Sequence, residues 1–208
     1  DGAILNALNQ TSLALEEPIT TFPTTLGFLL SKSAARDVKL VLGGEGADEL
    51  FAGYDWYQPS PLHRIRQALP HQLFPASLPL PMSRRWSRAL RFLSARDEEQ
   101  AQLALLSSDT PEVMAAMLCA DIPFSTPRGV GVTGITDETR SSLRGSLDLK
   151  LSIDLTGRLA DGILLAHDKT SMAHSLELRM PFLDLDVVEF AHRLPARFKL
   201  GNGRRKVV

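Results

Sequence analysis

The sequence predicts an α/β domain that is mostly helical, with a short parallel strand at about residues 38–42. Residues 24–36 have a helical period with leucines on one face. Leu40, Val41 and Leu42 then form a continuous apolar run of strand length, and a glycine-rich loop and a second helical pattern follow. Helix, strand and helix in succession form the repeating unit of a doubly wound sheet. We therefore expect this strand to be buried on both faces and a ligand to bind where it ends.

Composition and charge restrict the classes of protein, and of binding partner, that fit this chain. The chain has 208 residues, 44% of them hydrophobic, and a formal net charge of -1. These values are typical of a soluble globular domain and give no electrostatic case for nucleic acid or an anionic membrane. No apolar run has membrane-spanning length and the first residues lack a signal-peptide pattern, so we expect a cytoplasmic protein without membrane or nucleic-acid partners.

The single cysteine, Cys119, excludes an internal disulfide framework and a Cys-rich zinc site. It lies in an apolar helical stretch, which favours a small buried hydrophobe over a nucleophile.

Helical periodicity predicts the remaining elements. We expect Thr24 to cap the second helix, Asp184 to cap the last one, and Trp56 and Tyr57 to belong to the core. The predicted helices lie at about residues 1–15, 24–36, 47–58, 98–107, 111–120, 147–167 and 186–194.

Residues 59–96 differ in composition from the rest. Six prolines divide this segment into short pieces, and no acidic residue occurs between Asp55 and Asp97, whereas arginines recur. A nucleic-acid surface is one interpretation. Because the acidic cluster 97–99 follows directly, we favour a solvated face with neighbouring ion pairs, in a helical insertion that could also cover the mouth of a site.

The loop after the strand combines glycines with carboxylates. Gly43, Gly44 and Gly46 allow successive N–H groups to face one concavity, which suits phosphate. Glu45, Asp48 and Glu49 would repel a phosphate unless a cation lies between them, which indicates a Mg²⁺-bound polyphosphate. The alternative is that Asp48 and Glu49 only cap and charge-match the following helix.

A second polar group lies at the end of the 147–167 pattern. Lys169 and Arg179 could bind a phosphate or a substrate carboxylate, with Asp168 or Glu177 orienting them. The alternative is a structural network, which we favour for Arg179, Pro181 and Asp184. The separation of His167 from His174 matches no compact metal motif.

Two motifs resemble one known family. Residues 43–54 read GGEGADELFAGY and residues 168–184 read DKTSMAHSLELRMPFLD. They resemble SGEGADELFGGY and DRMSMAHSLEVRVPFLD of the asparagine synthetases, the glutamine-dependent amide ligases. The resemblance implies a Rossmann-like, adenine-nucleotide alpha-hydrolase-like domain of the pyrophosphatase-loop type, covering residues 1–208.

The resemblance also implies a reaction and a site. In the family, ATP and Mg²⁺ convert aspartate to β-aspartyl-AMP, and ammonia from glutamine then gives asparagine, AMP and pyrophosphate. By motif position, Glu45 is the catalytic glutamate, Gly43 and Gly44 are backbone contacts to ATP, and Asp48 binds ATP and its metal. Lys169 is not assigned by motif position, and we include it as an ATP-binding candidate because its charge could meet a phosphate. Gly43 stands where the family usually has serine.

Parts of the family pattern are not in this sequence. The S-G-G-x-D-S loop, the glutaminase domain with its cysteine and the lysine of a later K-x-G-F-like segment are absent. We therefore expect a fragment, truncated at both ends and inactive alone, of a protein that could form a homodimer. The alternatives are a ligase of the same fold acting on a peptide, a β-amino acid or an envelope sugar, and a non-catalytic helical interaction module.

Overall fold

The computed structural model describes residues 2–17, 22–58, 60–75, 83–106, 141, 143–201 and 204–205, and helices dominate these residues. A π-helical segment, Asp154–Leu164, joins the helices Ser146–Ile153 and Leu165–Met172 without a break. The helices are α1 (Gly2–Leu15), α2 (Phe22–Ala34), α3 (Ala47–Phe51), α4 (Pro61–Ala68), α5 (Arg84–Ser94), α6 (Glu98–Leu106), α7 (Ser146–Ile153), α8 (Leu165–Met172), α9 (Leu185–Arg193) and α10 (Ala196–Lys199). Short 3-10 turns occupy Asp55–Tyr57, His71–Leu73 and Pro181–Leu183.

In the described part of the chain, four short strands form two separate ladders. β1 (Leu40–Leu42) pairs in parallel with β2 (Glu177–Arg179), with Val41 opposite Leu178. β3 (Leu200–Gly201) and β4 (Arg204–Arg205) are antiparallel. Because β1 and β2 are parallel, the loop after β1 and the turn after β2 lie at the same edge, which is where ligands bind in α/β proteins.

The parallel pair confirms the predicted strand, but its predicted burial is wrong. Leu40 is 38% exposed and Leu42 is 68% exposed, and only Val41 between them is partly covered. Leu40 and Leu42 share one face of the strand, and this face is open to solvent. Among the described residues β1 has a single ladder partner, β2, so it is an edge strand and not an inner one.

Most of the described helices pack in two groups. α2 packs against α8 and α1, and Phe28 contacts the His174 ring at the end of α8. α4, α5, α6 and α7 form a second group around the buried Phe92, whose side chain is closed off from solvent. Arg66 of α4 bonds to Glu98 of α6 at 2.7 Å, so part of the arginine-rich segment forms an ion pair with the acidic cluster as expected.

Three other element predictions need comment. α2 begins at Phe22, so Thr24 lies inside the helix and is not its cap. α3 ends at Phe51, because Ala52 adopts a left-handed conformation with φ of 56° and ends the helix well before residue 58. Asp184 caps α9 as predicted, by accepting a hydrogen bond from the Asp186 amide. The predicted helix at 111–120 and Cys119 lie outside the described residues.

In the described ranges, no helix combines the length and the apolar character needed to cross a bilayer.

Candidate active site

The glycine-rich loop begins at the end of β1 and is tied to β2. The amide of Gly43 donates to the carbonyl of Arg179 at 2.8 Å, so this N–H is used by the ladder. A Cβ at Gly43 would lie 2.2 Å from Oε2 of Glu45 and 2.7 Å from Sδ of Met180. Because Gly43 has no side chain, the Glu45 carboxylate can occupy the space beside it.

Gly46 makes the turn into α3. Its φ of 89° is a left-handed conformation that favours glycine, and a Cβ there would lie 2.3 Å from Cδ2 of Leu183. By contrast, a Cβ at Gly44 would meet nothing within 4 Å. The loop thus packs closely at two glycines and is open at the one between them.

A cavity of about 250 Å³ opens beside this loop. Gly44, Glu45, Gly46 and Asp48 line one side of it, and Ile163 of the π-helical segment contributes to the other. The N–H groups of Gly44, Glu45 and Gly46 have no hydrogen-bond partner among the described residues. Unpaired amides beside a concavity are the feature by which protein loops bind phosphate.

Glu45 connects this loop to α8. Its Oε1 lies 2.9 Å from Nδ1 of His167, and its other oxygen, Oε2, is buried without a hydrogen-bond partner among the described residues. The sequence analysis did not pair these two residues, because a contact between segments so far apart in the chain leaves no periodic signal.

Glu49 lies in a different environment from Glu45 and Asp48, the other two carboxylates of this region. It is 2% exposed, accepts a hydrogen bond from Tyr54 Oη at 2.8 Å and lies 3.4 Å from Nη1 of Arg158. Burial raises the pKa of Tyr54 to about 12. In the alternative interpretation Asp48 and Glu49 only cap and charge-match α3. Both residues do lie in the first turn of α3, but the Glu49 carboxylate is bound to Tyr54 and Arg158.

Arg158 is a site residue that sequence reasoning missed. Its guanidinium lies 4.5 Å from the Tyr54 ring centroid and 5.0 Å from that of Trp56, so it stacks on a pair of aromatic rings as well as pairing with Glu49. The only signal was that Arg158 is the single arginine of the 147–167 helical pattern.

The start of the π-helical segment is anchored by a buried carboxylate. Asp154 is closed off from solvent and accepts hydrogen bonds from Trp56 Nε1 at 3.0 Å, Tyr57 Oη at 2.5 Å and Gln102 Nε2 at 3.3 Å. Burial and the neighbouring Asp154 charge raise the pKa of Tyr57 well above its usual range. Tyr57 is a core residue as predicted.

A second cavity, of about 470 Å³, lies on the other side of Ile163. Arg158, Asp161 and His167 line it together with Glu17, and Ile163 lines both cavities. The Glu45–His167 pair therefore joins the two, with the carboxylate on the wall of the loop cavity and the imidazole on the wall of the larger one.

The other predicted site residues lie apart from the loop. Lys169 donates to the carbonyl of Leu15 at 2.6 Å and lies 3.4 Å from Oε2 of Glu16, at the end of α1. Arg179 bonds to Glu177 at 2.7 Å on the exposed face of β2. In this arrangement Lys169 holds α8 against α1, and its predicted contact with ATP remains a prediction.

The loop carboxylates could hold a metal ion only together with ligands that do not come from the described residues. No group of three or more acidic, histidine or cysteine side chains in the described ranges could hold a metal by itself. Asp48 lies on the cavity wall beside the unpaired loop amides. One carboxylate together with phosphate oxygens and waters is the usual environment of Mg²⁺, so these residues fit an ion that arrives with a polyphosphate.

Comparisons with known proteins agree on one family. A family model described as "Asparagine synthase" matches residues 1–208. The "Putative asparagine synthetase (glutamine-hydrolyzing)" of Mycobacterium tuberculosis H37Rv is 33% identical over 192 residues, which cover 89% of this chain and 28% of the relative. "Asparagine synthetase (glutamine-hydrolyzing) 1" of Bacillus subtilis is 30% identical over 207 residues, 97% of this chain and 32% of the relative.

A more distant relative carries a different name. "Amidase chyE" of Penicillium rubens is 27% identical over 190 residues, 80% of this chain and 27% of the relative. No solved structure gives a significant match. The chain thus spans about a third or less of the curated relatives that it matches.

Proposed function

Since the chain belongs to the asparagine synthase family, we propose that the full-length gene product is an ATP-dependent amide ligase. In the proposed reaction the side-chain carboxylate of aspartate attacks the α-phosphorus of ATP and displaces pyrophosphate. Ammonia derived from glutamine then attacks the acyl adenylate, giving asparagine and AMP. The residues described here form part of the adenylation site.

One observation carries the proposal: the three loop residues whose amides have no hydrogen-bond partner in the described part of the chain, together with Asp48, line one cavity at the carboxyl end of β1. The amides of Gly44, Glu45 and Gly46 suit the negatively charged phosphate oxygens, since they are held in place before the nucleotide binds. The Gly43 amide is used by the ladder, so its role is to let the backbone and Glu45 approach closely.

Asp48 would hold Mg²⁺ together with phosphate oxygens of the nucleotide. When bound, the ion neutralises charge on the departing pyrophosphate. The chain's own part is to place one carboxylate next to the loop amides, so that a metal-bound polyphosphate is attracted and a bare one is repelled. Lys169, in this proposal, reaches the nucleotide only by leaving its contacts with Leu15 and Glu16.

Glu45 is proposed as the catalytic glutamate. Its Oε1 is engaged by His167, whereas Oε2 is buried and has no hydrogen-bond partner among the described residues. A buried acceptor without a donor is costly, so a donor supplied by bound substrate would restore a lost hydrogen bond. In this proposal Glu45 lies where the acyl and phosphoryl groups meet.

The proposal is tested by isotope exchange between pyrophosphate and ATP in the full-length gene product. We expect exchange that requires both aspartate and Mg²⁺, and its loss in Asp48→Asn. Replacing aspartate by other carboxylates in the same assay identifies the acceptor. The absence of carboxylate-dependent exchange with every acceptor would contradict the proposed function.

A further inference from the structure

His167 is bound to Glu45 through one ring nitrogen and lines the larger of the two cavities. Its Nδ1 is 2.9 Å from Oε1 of Glu45, and its ring lines the 470 Å³ cavity. No described residue hydrogen-bonds to its Nε2. The imidazole therefore has one nitrogen held by the protein and one that faces no protein partner in the described part of the chain.

The contact with Glu45 determines which nitrogen of the neutral ring can accept a proton. A carboxylate accepts a hydrogen bond and cannot donate one, so Nδ1 carries the hydrogen and Nε2 keeps its lone pair. A histidine whose Nδ1–H is held by a carboxylate is oriented as a base and stabilised once it is protonated.

The Glu45–His167 pair contributes one residue to the wall of each cavity. Glu45 lines the cavity beside the loop amides, His167 lines the larger cavity, and Ile163 borders both. An acyl adenylate whose phosphate lies at the loop would therefore have its acyl carbon close to the boundary between the cavities. A nitrogen nucleophile arriving through the larger cavity reaches that carbon beside His167.

Charged groups of both signs surround the ring. Glu45 is bound directly, whereas Arg158, Asp161 and Glu17 share the cavity wall with His167. On its own helix Asp168 and Lys169 are the neighbours, and Lys169 is bound to Glu16. Charged residues on the other elements that pack against α8 interact with other groups. The Lys32 charge of α2 lowers the pKa of His174, and Glu177 and Arg179 of β2 pair with each other.

We propose that His167, held by Glu45, is the general base for the second step of the reaction. The inference rests on the proposed ligase function. The nitrogen lone pair attacks the carbonyl carbon of the acyl adenylate, a C–N bond forms, and the C–O bond to AMP breaks with its electron pair leaving on AMP. The proton that the nitrogen loses goes to Nε2 of His167.

The experiment measures the two steps separately in the full-length gene product, with an ammonium salt as the nitrogen source. Pyrophosphate exchange reports the first step and amide production reports the second. His167→Asn keeps a donor near the Nδ1 position toward Glu45 but has no group that accepts the proton. His71→Asn is the matched control, because His71 lies in the turn that packs against α5.

We expect His167→Asn to slow amide production about 100-fold, the contribution usual for a general base, while exchange falls by a much smaller factor. In His167→Ala, added imidazole should restore part of the amide production. His71→Asn should match the wild type in both steps.

Equal loss of both steps in His167→Asn, with no imidazole rescue of His167→Ala, would assign His167 a structural role and overturn the proposal. Unchanged amide production in His167→Asn would also overturn it. Either result leaves the ligase function standing, since wild-type exchange continues. A wild-type protein without exchange would instead contradict the proposed function itself.

Discussion

At the scale of single residues, three glycines in one loop have different tasks. Gly46 supplies a left-handed turn against Leu183, Gly43 leaves room for the Glu45 carboxylate, and Gly44 faces open space. The sequence alone shows three equivalent glycines. Their differences depend on Leu183 and Met180, which lie more than a hundred residues away in the chain.

Gly46→Ala should destabilise the fold. The left-handed conformation costs an alanine about 1–2 kcal/mol, and the new Cβ also displaces Leu183. Gly44→Ala is the control and should change the free energy of unfolding by less than about 0.5 kcal/mol. Urea denaturation of the two variants checks the difference, and equal stabilities would contradict the assigned loop geometry.

Gly43→Ala should affect activity more than stability. The new Cβ meets the flexible ends of Glu45 and Met180, which can move, but the movement shifts the Glu45 carboxylate away from His167. A displacement of about 1 Å at a reacting group can cost up to about 100-fold in rate. Aspartate-dependent exchange measures this loss, and wild-type exchange with a retained fold would contradict it.

At the scale of elements, the π-helical segment Asp154–Leu164 organises the site. It begins at the buried Asp154, carries Arg158 to the Tyr54 and Trp56 rings, and brings Ile163 between the two cavities. π-helical turns are uncommon and occur often at functional sites.

Asp154→Ala should destabilise the protein by about 3 kcal/mol or more. The change leaves the buried donors of Trp56, Tyr57 and Gln102 without their acceptor, and each unsatisfied donor costs about 1–3 kcal/mol. The matched control is Asp161→Ala, an exposed position seven residues further along the same segment. A denaturant titration in which both variants behave alike would contradict the anchoring role.

The helices and strands show which parts of the fold could be predicted from the sequence. Periodicity predicted the helical run over 147–167, and the Asp184 cap and the strand at Leu40–Leu42 were predicted correctly. The change to π-helical geometry was not predicted, since leucines near i, i+4 spacing occur in either helix. The exposure of β1 was predicted wrongly, because an apolar run reports what a strand could bury, not which partners cover it.

The candidate site was predictable only where the motifs are continuous. Glu45, Asp48 and the loop glycines follow one another in sequence, and four of these residues line the same cavity. His167 and Arg158 come from a distant helical segment. Their pairing with Glu45 and Glu49 is a product of tertiary packing, which residue spacing does not encode.

At the scale of the whole molecule, partly buried histidines make stability depend on pH. Burial, reinforced by the nearby Lys150 charge, lowers the pKa of His63 from 6.5 to about 4. Nε2 of His63 lies 2.8 Å from Nζ of Lys150, so a protonated ring would place two cations in contact. Burial also lowers the pKa of His174 and of His192.

The expected pH dependence follows from proton uptake. Below pH 6.5 the unfolded chain protonates His63 while the folded chain does not until about pH 4. The unfolded state therefore binds more protons in this window, and stability falls as the pH is lowered through it. Urea midpoints measured across the window should decrease, and less steeply in His63→Gln, whose amide oxygen can still accept from Lys150. Parallel profiles for the two proteins would contradict this assignment.

The central claim is that the loop at the end of β1 supports attack of a carboxylate on the α-phosphorus of ATP. It is tested most directly with aspartate labelled with heavy oxygen in its side-chain carboxylate, given to the full-length gene product with ATP, Mg²⁺ and an ammonium salt. The account predicts that one labelled oxygen appears in AMP for each asparagine formed. Label in inorganic phosphate, or AMP without label, would contradict it.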